Sequence, residues 1–61
     1  MIRIRIMKWQ GEYKVQALHQ AQKTLDVCTQ ASKKALGEAE QVARRLCERF
    51  DINSLSVEYK I

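Results

Sequence analysis

The side chains with chemistry to offer are few: one histidine, His19, two cysteines, Cys28 and Cys47, and seven carboxylates. A histidine acts as a general base near neutral pH when a partner orients it. Placed on a helix, His19 has Asp26 two full turns away and no cysteine within one turn, so it reads as a boundary or surface residue. The cysteines stand nineteen positions apart. On one straight helix that separates them by about 28 Å, far beyond disulfide reach. They are expected to be reduced and buried. Two distant cysteines and one histidine do not make a zinc set.

The carboxylates are equally unpromising as an acid–base pair. Asp26, Glu38, Glu40 and Glu48 have no nucleophile at useful spacing. Glu40–Arg44 and Arg44–Glu48 are i,i+4 pairs, which support a helix by a few tenths of a kcal/mol. Gly11 is isolated and Gly37 sits in a periodic stretch, so neither belongs to a phosphate-cradling loop. The expectation is no catalytic residue, no cofactor, no metal and no enzymatic activity.

The elements that would position these groups begin with "MIRIRIMKW". Ile2, Ile4 and Ile6 share one parity, and Arg3, Arg5, Met7 and Trp9 the other. Period two with β-branched residues is the signature of a half-buried strand, here residues 2–9. "QGE" at 10–12 breaks it, with Gly11 open to backbone angles closed to its neighbours. From about 13 to 50 the apolar residues recur at three- and four-residue spacing: Leu18, Ala21, Leu25, Cys28, Ser32, Ala35, Ala39, Val42, Leu46. That periodicity predicts one long amphipathic helix with a stripe of small residues, bent at Gly37 or broken there. No Ser, Thr, Asp or Asn caps its start. Asp51 and Asn53 then favour a turn, and alternation over residues 55–61 predicts a second strand.

Sixty-one residues make one small domain with little surface to bury. At 46% apolar residues the chain is expected to fold rather than stay disordered. No apolar run approaches a membrane span, and no signal-peptide core follows Arg3 and Arg5, so the expected location is cytoplasmic and the expected partners exclude membranes.

Lengths decide the expected assembly. A straight helix over residues 13–50 is about 57 Å long, whereas the two strands cover about 26 and 23 Å. Folded back along the helix, they meet tip to tip at best. The expectation is therefore an α+β chain in β-α-β order, completed by a homodimer that packs Leu18, Ala21, Leu25, Cys28, Ser32, Ala35, Ala39, Val42 and Leu46 across its axis. The alternative is a compact β-α-α-β monomer broken at Gly37. In both, the two strands are neighbours and their outer faces combine.

Eleven basic against seven acidic side chains give a net charge of +4. Two basic groups result: Arg3, Arg5 and Lys60 with Trp9 on the strands, and Lys33, Lys34, Arg44, Arg45 and Arg49 on the helix. Such a surface fits an acidic protein face or phosphates. Glu58 stands where it neutralises one of the arginines across the sheet. The first functional expectation is a protein-binding module acting through strand edges or helix surface, as adaptor, inhibitor or regulator. The alternatives are a nucleic-acid-binding protein without sequence specificity and a purely structural, oligomer-forming protein.

Overall fold

A computed structural model describes all 61 residues. Strand β1 (Ile2–Trp9) turns into β2 (Glu12–Ala21), which turns into β3 (Thr24–Lys33). Helix α1 (Leu36–Phe50) follows, then a single 3-10 turn at Ser54–Ser56 and a short strand β4 (Glu58–Lys60). The sheet order is β3-β2-β1-β4, with β4 parallel to β1 and the other neighbours antiparallel. The mixed α+β class and the first strand stand as read from the sequence.

The long helix does not. Residues 12–33 form two strands, and helix begins only at Leu36. The order is therefore β-β-β-α-β, neither β-α-β nor β-α-α-β. The stripe expected to pack a dimer is divided: Leu18, Ala21, Leu25, Cys28 and Ser32 lie on strands, Ala35 precedes the helix, and Ala39, Val42 and Leu46 lie on it. Gly37 is neither bend nor break but the second helical residue. The final strand spans three residues, not seven.

Two turns explain the change. Trp9 pairs with Glu12 across Gln10 and Gly11, whose φ values are 51° and 78°. Positive φ at both central residues matches the right-handed twist of the flanking strands. The second turn joins Ala21 to Thr24, with Gln22 at φ 48°. Once the first hairpin closes, "EYKVQALH" has a partner along its whole length, and pairing overrides the helix preference of its Gln, Ala, Leu and Lys residues.

The core lies between one sheet face and α1. Ile4 and Ile6 from β1, Val15 and Ala17 from β2, and Ala39, Ala43 and Cys47 from α1 are buried together. Residues four apart lie on one helix face, and here that face is small, so the helix backbone seats close to the sheet. Leu36, Val42, Leu46, Phe50, Ile52 and Val57 pack around the rim. Ala35 occupies the N-cap without a capping side chain. At the far end Asp51 closes α1 in the left-handed conformation, donating its N–H toward Glu48.

With a 15-residue helix, about 22 Å long, the length mismatch disappears. Strand β4 reaches β1 within one chain, pairing Arg5 with Glu58, Ile6 with Tyr59 and Met7 with Lys60. The two terminal strands are neighbours, as expected, and need no second copy to meet.

Candidate functional site: the open sheet face

Helix α1 covers one face of the sheet and leaves the other open. Register assigns the side chains, because residues directly opposite one another share a face. Arg3 stands opposite Leu18, and Leu18 opposite Val27. Arg5 is flanked by Gln16 and Glu58, and Gln16 by Gln30. Met7 is flanked by Lys14 and Lys60, and Lys14 by Ser32. Trp9 opposes Glu12 at the turn. Arg3, Arg5, Trp9 and Lys60 thus share one face, as anticipated.

Side-chain hydrogen bonds lace this face. Arg3 donates from Nε to Glu58 Oε2 at 2.7 Å and from Nη2 to Glu58 Oε1 at 2.6 Å. Its Nη1 donates to Gln20 Oε1 at 3.0 Å. Arg5 donates from Nε to Gln16 Oε1 at 2.8 Å. Gln16 in turn donates from Nε2 to Gln30 Oε1 at 3.1 Å. Leu18 and Gln16 are the two buried residues on this side, at 2% and 8% exposure.

The Arg3 guanidinium hydrogen-bonded to Glu58 holds that carboxyl below its usual value, against the opposing effect of desolvation. Folding therefore favours ionised Glu58. The resulting stability is present above the unfolded carboxylate value of about 4.3 and is lost as pH falls through the lower folded value. In urea titrations the wild-type midpoint should fall on acidification through that window. Glu58→Gln should be less stable than wild type at pH 6 and lose less on acidification. Identical pH profiles for the two proteins would remove Glu58 from the account.

The second basic group lies elsewhere. Arg44, Arg45 and Arg49 are exposed on α1, on the covered side of the sheet. Lys33 ends β3 opposite Tyr13, and Lys34 is exposed in the link to α1. The structure does not merge these with Arg3 and Arg5. On the helix side Tyr59 Oη donates to Glu40 Oε2 at 2.6 Å, which raises the Tyr59 pKa and ties β4 to α1. Of the eleven basic side chains, Arg3 and Lys60 form ion pairs, both with Glu58, leaving nine without one.

His19 is exposed and stands opposite Asp26 across β2 and β3. The sheet brings together two residues that a helix would separate. Cys28 is exposed where the register of β3 shifts against Ala17 and Leu18, and Cys47 is buried with its thiol pKa raised by desolvation. The expectation of two buried helical cysteines thus holds only for Cys47. Iodoacetamide should modify the native protein once, at Cys28, and reach Cys47 only after denaturation. Equal native labelling of both, read by mass spectrometry, would contradict this packing.

A half-open cleft of about 670 Å3 lies beside the first residues of β1, lined by Ile2, Ile4, Phe50 and Ile52 together with Arg3 and Glu58. No three His, Cys, Asp or Glu side chains are grouped to hold a metal ion. No helix is long and apolar enough to cross a membrane.

Lys14, Gln16, Gln20 and Gln30 belong to the open face and were not among the residues singled out from the sequence. The signal that could have found them is the alternation of Tyr13, Val15 and Ala17 with Lys14, Gln16 and Leu18. The adjacent apolar pair Ala17–Leu18 blurs it. Comparison with protein-family models, with curated proteins and with solved structures returns no match.

Proposed function

We propose that the chain is a nucleic-acid-binding module and that the open sheet face meets the ligand. The observation that carries this reading is the makeup of that uncovered face. Arg3, Arg5, Lys14 and Lys60 share it with Gln16, Gln20 and Gln30, two acidic residues, Glu12 and Glu58, and the apolar Met7, Trp9, Leu18, Leu25 and Val27. Protein–protein interfaces are enriched in arginine but depleted of lysine and acidic residues, whereas phosphate contacts draw on Arg, Lys and amide side chains alike. The helix-side arginines stand behind the sheet and are spectators in this reading.

Fluorescence anisotropy with labelled single- and double-stranded oligonucleotides tests it. Binding should appear at low salt and weaken as salt rises, because phosphate neutralisation releases counterions. Arg5→Ala combined with Lys14→Ala should reduce binding at least tenfold, and Arg44→Ala with Arg45→Ala should leave it within about twofold. Glu58→Gln should strengthen it, by freeing Arg3 and removing a negative charge. Absence of binding to every oligonucleotide at low salt would reject the reading.

A second reading rests on a different observation. Strand β3 is ten residues long, forms the longer of the two edges of the sheet, and exposes Leu25 and Val27. Such an edge accepts an added strand, from another protein or from a second copy. The shift in register near Cys28 interrupts that edge, and interruptions of this kind protect edges from pairing, which ranks this reading second. Capture of partners with and without nuclease treatment separates the two.

A further inference from the structure

We infer that the open face reads base edges in the major groove of double-helical DNA, with Arg5 and Gln30 as the reading side chains and Gln16 as the residue that positions them. This rests on the nucleic-acid reading above and narrows it to one ligand class and to a mode of specificity.

The ligand class follows from what the face holds and lacks. Proteins that bind single strands stack successive bases on aromatic side chains. Trp9 is the one aromatic residue on this face, and it sits at the turn. Tyr13 and Tyr59 have the opposite parity, and Phe50 is on the helix. Double-helical RNA hides its base edges in a major groove too deep and narrow for side chains. The B-form major groove is about 12 Å wide, more than the roughly 9.6 Å between β1 and β3, and offers each base pair as a distinct set of donors and acceptors. Lys14 and Lys60, in register with Met7 on the same face, supply positive charge for the flanking phosphates.

The two arginines differ in what they have left to give. Arg3 has committed Nε and both terminal nitrogens to Glu58 and Gln20. Arg5 has committed only Nε, to Gln16. Its two terminal nitrogens remain, and these are the pair that meets O6 and N7 of guanine. Gln30 is exposed, and only its Oε1 is engaged, by Gln16. Its amide nitrogen is unpartnered and its oxygen keeps a second lone pair, the set that meets N7 and N6 of adenine. Gln16 is 8% exposed with both amide atoms engaged. It reaches no base itself. It fixes the Arg5 head on one side and the Gln30 head on the other.

Spacing bounds the site. Arg5 and Gln30 lie on β1 and β3, two strand spacings apart, or about 9.6 Å. At about 3.4 Å per base step, two heads at that separation span at most about three steps. The preferred sequence therefore carries its guanine and adenine within about four consecutive base pairs.

Selection from a duplex library with a randomised centre tests this, followed by anisotropy on the enriched and scrambled duplexes. The wild type should enrich a guanine and an adenine inside such a window, each preferred about fivefold to a hundredfold. Gln30→Ala, at an exposed position, should lose the adenine preference and keep the guanine preference. Arg5→Ala should do the reverse. Gln16→Leu should weaken both preferences while circular dichroism shows the fold retained, and Lys14→Ala should lower affinity equally for all sequences. Duplex binding without sequence preference, or equal affinity for single strands, would overturn this inference and leave the nucleic-acid reading standing. No binding to any oligonucleotide would overturn both.

Discussion

Ile6→Ala is expected to destabilise the fold by about 2–5 kcal/mol, the range for removing a large aliphatic side chain from a packed core. Ile6 is fully buried, and it stands in register between Val15 and Tyr59, so it is enclosed by strands on both sides as well as by the helix above. Few neighbours can collapse into the space, because Ala17, Ala39 and Ala43 are already short. At about 0.05–0.15 kcal/mol per residue, a chain of this length has about 3–9 kcal/mol in total. The substitution therefore removes much of it. Urea unfolding followed by circular dichroism should show the midpoint collapse, or no transition at all. Ile2→Ala, at a half-buried position on the same face, should cost clearly less. Equal effects at Ile2 and Ile6 would show that the core is not centred where the structure puts it.

The second large effect is expected from adding atoms. Ala39→Leu forces a larger side chain into the plane where α1 meets the sheet, and overpacking of that kind costs about 1–3 kcal/mol. Ala39 is fully buried, whereas Ala35 is exposed at the N-cap. Ala35→Leu should change stability by less than about 0.5 kcal/mol, as surface substitutions commonly do. The pair also separates this fold from one long helix packed on a partner, in which both positions lie on a single stripe and both substitutions overpack it. A large loss from Ala35→Leu would favour that arrangement.

Legibility in the sequence followed the strength of local patterning. "IRIRI" alternates strongly and was readable as a strand with a core face and an outer face. Helix over residues 36–50 and the turn near Asp51 were also readable, although the start at Leu36 was not. Residues 12–33 were not, for a physical reason. Their side chains are mostly helix formers, and their short apolar residues satisfy both a helical stripe and a broken alternation. What decides between them is the hairpin turn at Gln10–Gly11, and Gln is not a residue that announces a left-handed conformation. The candidate site inherited the same error. Arg3, Arg5, Trp9 and Lys60 were grouped correctly because they lie on the readable strands. Lys14, Gln16 and Gln30 were hidden because they lie on the strands mistaken for helix. The cross-strand role of Glu58 was visible because its own strand and the strand of Arg3 both were.

Strand β4 has a kinetic meaning beyond its place in the sheet. Its pairing with β1 joins residues 5–7 to residues 58–60, so nearly the whole chain forms the loop that this contact closes. The two hairpins close over turns of two residues and lose little chain entropy in doing so. Order of assembly follows: the β1–β2–β3 meander can form from local contacts, α1 can settle on it, and β4 docks last. Three residues held by a two-point arginine clamp on one face and a tyrosine hydroxyl on the other form the natural first step of unfolding. Amide protons there should exchange by local opening while those of β1 and β2 wait for the whole domain.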